Sequence, residues 1–123
     1  MIKGVHTMFF SSEPEALREF LRDKLGFDSV TDVGGGWLIF DLPEADMGVH
    51  PADPSGSHGQ PAGTHDVSFY CDDIQATVAE LKQRGVAFEE EVIDAGFGFT
   101  TRFAMPGGVS VQLYQPHYRK DSG

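Results

Sequence analysis

Residues 3–10, KGVHTMFF, alternate with a period of two. That predicts a strand with Val5 and Phe9 on one face and His6, Met8 and Phe10 on the other. The period then lengthens. In SSEPEALREFLRDKLGF, Ala16, Leu17, Phe20, Leu21 and Leu25 recur at helical spacing. Ser12 followed by Glu15 reads as a capping box, Pro14 suits a first turn, and Gly26 supplies the stop. FDSVTDV and GWLIFDL read as strands either side of the GGG turn at 34–36, and DMGVH at 46–50 as a fourth strand. After PADPSGSHGQPAG at 51–63, the best linker, the order starts again. DVSFYC is a strand. DDIQATVAELKQRG is a helix capped by Asp72 or Asp73, with Ile74, Val78 and Leu81 on its apolar stripe and Gly85 at its end. AFEEEVI, FTTRFAM and VSVQLYQ are three further strands, the last two joined by the PGG turn at 106–108.

The two halves superpose in sequence. A shift of 60 residues sets His6 on Asp66, Phe9 on Phe69, Phe10 on Tyr70, Ala16 on Ala76 and Leu21 on Leu81. A shift of 62 sets GVH at 48–50 on SVQ at 110–112. The pattern predicts an α+β fold of two βαβββ modules, forming a cupped mixed sheet with helices on its outer face. One domain over 1–123 is expected, with module 1 at about 1–50, linker 51–63, module 2 at about 64–116 and a tail at 117–123. With 40% hydrophobic and 11% aromatic residues, the chain can build one real core.

Strand parity also sorts the chemistry. Asp66, Ser68 and Tyr70 share a face, as do Gly48 and His50, and Ser110, Gln112 and Tyr114. The opposite faces carry Val67, Phe69 and Cys71, then Val49, then Val109, Val111 and Leu113. One sheet face is therefore apolar and the other polar and aromatic, as a ligand cup requires. By this parity Asp66 enters the cup and its neighbour His65 faces away. Trp37, Phe97, Phe99, Tyr70 and Tyr114 are candidates to line the cup. Arg102 could clamp a carboxylate or phosphate, or form a surface salt bridge. Phe10, Tyr70, Arg102 and Tyr114 are the candidate substrate contacts. His58 and His117 read as solvated loop and tail residues, and FEEEV at 88–92 as a charged edge strand.

Asp and Glu outnumber Lys and Arg by 19 to 9, a net charge of −10. Such a surface repels nucleic acid and anionic membranes and leaves a small molecule as the expected partner. Its sign would suit a cationic ligand. Cys71 is the only cysteine, which excludes an intrachain disulfide and a Cys-based zinc site, and it reads as a buried structural thiol. No stretch resembles a signal peptide or a transmembrane helix, so a cytoplasmic protein is expected.

GVHTMFF before a helix ending LRDKLGF, then DVSFYCDDIQATVAELKQRGV, then FAMPGGVSVQLYQP together resemble the vicinal oxygen chelate superfamily of glyoxalases, bleomycin-resistance proteins and extradiol dioxygenases. The resemblance spans about residues 2–116. It implies metal positions at His6, His50, Asp66 and Gln112, where glyoxalase I members commonly carry His or Gln, Glu, His and Glu. Two imidazoles, a carboxylate and an amide oxygen suit a divalent Fe, Mn, Ni or Zn. Two His and one carboxylate also match the composition of the non-haem iron facial triad. The family's usual Glu bases are missing here, so Asp66 and Gln112 stand as the candidate catalytic residues. The leading expectation is a metal-dependent lyase, isomerase or dioxygenase acting on a small oxygenated substrate. The alternative is a metal-free binding or sequestering protein of the bleomycin-resistance type. The resemblance further implies a homodimer.

Overall fold

The computed structural model describes residues 7–32, 38–42, 44–45, 52, 55, 60–63 and 65–117. His6, His50, Trp37, His58, the GGG turn and DMGVH lie outside them. The described elements run α1 (Pro14–Asp23), β1 (Asp28–Asp32), β2 (Leu38–Asp41), β3 (Ser68–Tyr70), α2 (Ile74–Gln83), β4 (Ile93–Asp94), β5 (Gly98–Met105) and β6 (Val109–Pro116). β1 and β2 form an antiparallel pair, while the second half forms a mixed sheet in the order β3-β6-β5-β4. The fold is α+β, as expected, and β3-α2-β4-β5-β6 is one βαβββ module.

The repeat is visible in the helices. α1 starts at 14 and α2 at 74; they end at 23 and 83, an offset of 60 at both ends. Each is followed by a glycine at positive φ, Gly26 at 76° and Gly85 at 87°. This conformation lets the chain leave the helix without a Cβ clash. Their N-termini differ. Asp73 caps α2 by accepting the Ala76 N–H at 3.1 Å. α1 lacks the expected capping box: its N-cap is Glu13, with no side-chain cap bond. Ser11 acts there instead, its Oγ accepting the Glu13 N–H at 3.0 Å and donating to the Pro106 carbonyl at 2.8 Å. The start of α1 is thus tied to the β5–β6 turn. The Ser12 N–H adds a bond to the Gly107 carbonyl at 3.1 Å. A Cβ at Gly107 would run into Ser11 Oγ and the backbone nitrogens of Ser12 and Glu13, so the turn needs glycine for space as well as for its φ of 88°.

Alternation along β5 and β6 sends Thr101, Phe103, Met105, Val111 and Leu113 to the side covered by the helices, all buried. Leu17, Phe20 and Leu21 of α1 and Ile74, Val78 and Leu81 of α2 complete that core. Phe103, 1% exposed, is its hub, with the rings of Phe88, Phe20 and Phe69 at 5.5, 6.4 and 6.5 Å. Phe69 in turn meets Phe27 at 5.2 Å and Phe9 at 6.2 Å, so rings from both halves share one cluster. Burying each such side chain stabilises the fold by about 1.5–3 kcal/mol. The Thr101 hydroxyl avoids a desolvation cost by donating to the Glu90 carbonyl at 2.8 Å.

Three expectations are corrected. Residues 7–10 are not in a strand, although Phe9 does pack inward. The AFEEEVI strand shrinks to Ile93–Asp94 plus a single bridge from Phe88 to Phe103, because three consecutive glutamates cannot all leave water. Phe99 has the parity of Phe103 and packs on the helix side, with His117 against its ring at 4.8 Å. It does not line the polar face.

Candidate functional site

The other face of the same strands is built in rows, because β3 runs parallel to β6 while β5 runs antiparallel to it. One row is Ser68, Gln112 and Arg102, and the next is Tyr70, Tyr114 and Thr100. Two residues along a strand separate them, roughly 7 Å at the usual rise. The first row carries polar donors and the second aromatic rings.

In the donor row the Gln112 side-chain amide donates to Ser68 Oγ at 3.0 Å. Arg102 donates from Nε to Ser110 Oγ at 3.1 Å and from Nη2 to the Ser110 carbonyl at 3.2 Å. Ser110 Oγ passes its own hydrogen to Glu89 Oε1 at 2.5 Å. Glu89 is placed there by a backbone bond to the Arg102 carbonyl at 2.8 Å. The expected alternative for Arg102, a surface salt bridge, is not formed: among the described residues its guanidinium has no carboxylate within ion-pair distance. Its remaining N–H groups stay directed by a fixed fork.

In the aromatic row Tyr70 and Tyr114 lie edge to face at 6.5 Å. Phe97, 57% exposed, extends them, its ring 6.0 Å from that of Tyr114. The Tyr70 hydroxyl donates to Glu44 Oε2 at 2.6 Å. This carboxylate comes from the first half of the chain. Glu44 and Glu89 were not legible beforehand. Glu44 lies in LPEAD, which has no periodicity to assign it a face, and Glu89 is one of three successive glutamates.

Asp66 and His65 are both exposed and both precede β3, so alternation within the strand governs neither side chain. His6 and His50 lie outside the described residues. Among the described residues no group of three or more His, Cys, Asp or Glu side chains is placed to hold a metal. Of the candidate substrate contacts, Tyr70, Arg102 and Tyr114 come together, whereas Phe10 is 91% exposed. Cys71 sits half-buried on the helix side, where burial above all pushes its thiol up. A hollow of about 130 Å³ between α2 and residues 88–92 is on that side too, lined by Val78, Lys82, Phe88, Glu90 and Thr101 among others. Among the described residues no helix is long and apolar enough to cross a membrane.

Known structures share this architecture. TnmS3, an antibiotic binding protein from Streptomyces sp. CB03234, is 26% identical over 94% of this chain and 99% of its own, with a TM-score of 0.60. A Glyoxalase/bleomycin resistance protein/dioxygenase superfamily member from Sphaerobacter thermophilus is 27% identical over 93% and 98%, with a TM-score of 0.61. Lactoylglutathione lyase from Agrobacterium tumefaciens, 17% identical over 89% and 90% with a TM-score of 0.61, shares the fold alone. No curated protein sequence matches the chain. The family model of the Glyoxalase/Bleomycin resistance protein/Dioxygenase superfamily matches residues 3–113, and the chain belongs to that superfamily.

Proposed function

We propose that this protein is a small-molecule-binding protein, cytoplasmic and homodimeric, that holds its ligand against the polar face of β3, β6 and β5. The observation that carries this reading is the aromatic row of Tyr70, Tyr114 and Phe97 beside the donor row of Ser68, Gln112 and Arg102. A few placed donors beside apolar rings is the composition of organic-ligand sites. The likeness to an antibiotic binding protein at 26% identity supports the same class. Met8 at 52% and Phe10 at 91% exposure are large apolar side chains that a second copy would cover, which supports the homodimer. Chemical-shift mapping against antibiotics and oxygenated metabolites tests the reading. Perturbations centred on residues 68–70, 97, 102 and 110–114 are expected. Perturbations elsewhere, or none, would overturn it.

A second reading is a metal-dependent lyase, isomerase or dioxygenase acting on a small oxygenated substrate. It is favoured by Gln112, whose Nε2 is given to Ser68 so that its Oε1 remains for a cation, and by Asp66, two residues ahead of Ser68. His6, His50, Asp66 and Gln112 would hold a divalent Fe, Mn, Ni or Zn, which when bound supplies a Lewis acid for a developing oxyanion. Asp66 would accept the proton next to a substrate carbonyl, and Gln112 would orient the substrate. Elemental analysis of untagged protein separates the readings. Stoichiometric metal that is lost in His6→Ala and Gln112→Ala supports the second. Protein that stays substoichiometric after incubation with each ion excludes it.

A further inference from the structure

Resting on the binding reading above, we infer that the ligand is a flat aromatic molecule bearing a carboxylate, bound in one orientation, with its rings on Tyr114 and Phe97 and its acid on Arg102. The aromatic half follows from the row itself. Tyr70, Tyr114 and Phe97 present three rings in series, at 6.5 and 6.0 Å, beside the small or polar side chains of Ser68, Thr100, Ser110 and Gln112. Edge-to-face and offset ring contacts favour a planar π-system over a saturated one of the same size.

The orientation follows from charge. Arg102 is held by two bonds to Ser110, which fix the guanidinium while leaving donors over. Its neighbour across the strand is the neutral Gln112. At the far end of the face the Tyr70 hydroxyl is committed to Glu44. An anion at that end would meet a carboxylate and find the phenol's hydrogen already taken. Among the described residues the face thus carries a cation at Arg102 and a carboxylate at Glu44, and the acid is assigned to the Arg102 end. Glu89 lies across Ser110 and weakens the field of Arg102, but its contact is made to the Ser110 hydroxyl, so the remaining guanidinium donors are left for the acid. The net charge of −10 is spread over the chain and is screened beyond about 8–10 Å at physiological salt, so the contact charge decides. The sign expected from composition alone, a cationic ligand, is thereby reversed.

The test is calorimetric titration of the full chain with 2-naphthoate, its neutral counterpart 2-naphthamide, and the saturated decahydro-2-naphthoate. Naphthoate is expected to bind about tenfold or more tighter than naphthamide, because a carboxylate accepts two guanidinium bonds and pairs its charge while the amide offers one neutral acceptor. It is also expected to bind several-fold tighter than the saturated acid. Arg102→Gln should erase the preference over naphthamide, weakening naphthoate far more than naphthamide, while Glu44→Gln should keep that preference. Equal binding of naphthoate and naphthamide, or a preference that survives Arg102→Gln, overturns the acid assignment. Equal binding of the saturated acid overturns the aromatic one. In both cases the small-molecule reading stands. Binding of none of the three overturns the inference, and the parent reading falls only if the chemical-shift survey also returns nothing on this face. Unchanged circular dichroism of both variants shows that the comparison is between folded proteins.

Discussion

Along β5 and β6, successive residues serve opposite ends. Phe103, Val111 and Leu113 are almost completely buried in the core that both helices complete. Arg102, Gln112 and Tyr114, one position away, are half-buried and hold hydrogen bonds or ring contacts to a few neighbours. The two faces share every backbone hydrogen bond, so their difference lies in the side chains alone. One face sets stability through apolar area and close packing; the other is free to carry chemistry because its side chains are not needed to exclude water. That separation lets one scaffold host many ligands.

The strongest way to break the comparison is Phe103→Ala. Emptying the hub of the ring cluster should cost about 3–5 kcal/mol, read as a lower midpoint in chemical denaturation. Ligand titration of the protein that remains folded should be unchanged. Tyr114→Ala, on the other face, should do the reverse. Naphthoate affinity should fall about tenfold, while stability drops by only about 1–2 kcal/mol from its contacts with Tyr70 and Phe97. If Tyr114→Ala destabilised as much as Phe103→Ala, the division of labour would be wrong.

Gln115 sharpens the picture, because it is a polar residue with the parity of the apolar face. Its side-chain oxygen accepts the Ile74 N–H at 2.9 Å, where α2 begins. Gln115→Met should leave that amide without its acceptor and cost about 1–2 kcal/mol at nearly constant volume. The smallest effect is expected at the rim. Asp94 is held below the usual carboxylate range, first by the Gly96 N–H and then by His117, whose Nε2 lies 3.1 Å from its Oδ1. A depressed folded-state value adds stability that is present above the unfolded value and is lost as pH falls through the folded one. The wild type should therefore lose slightly more stability than Asp94→Asn as pH falls below about 4, measured as the difference between their acid-denaturation curves.

Much of this was legible in the chain. The 60-residue repeat, both helices with Leu17, Phe20, Leu21, Ile74, Val78 and Leu81 inward, the β5–β6 hairpin and the family all follow from period and turn chemistry. Local competition accounts for two failures. Ser12 could cap α1 on sequence grounds, but Ser11 was drawn to the Pro106 carbonyl of a turn 95 positions away, and Glu13 became the N-cap instead. AFEEEVI had strand-like ends, but its charged centre pairs only through the Phe88–Phe103 bridge before the ladder resumes at Ile93. The neighbours His65 and Asp66 illustrate the limit of parity, which acts only while a strand is hydrogen-bonded, and β3 begins at Ser68.

The sequence by itself determined which side chains alternate toward the helices, because period is a local property of each strand. It therefore determined that Tyr70, Gln112 and Tyr114 would share a polar face. Arg102 was ambiguous until β5 settled its register against β6, which set it opposite Gln112. Only the tertiary structure brought Glu44 to the Tyr70 hydroxyl, 26 residues apart, and set Ser110 between Arg102 and Glu89. Those contacts depend on how segments distant in sequence fold against each other, and no local pattern encodes that distance. They also place the Arg102 cation and the Glu44 carboxylate at different ends of the face, which net charge alone cannot do.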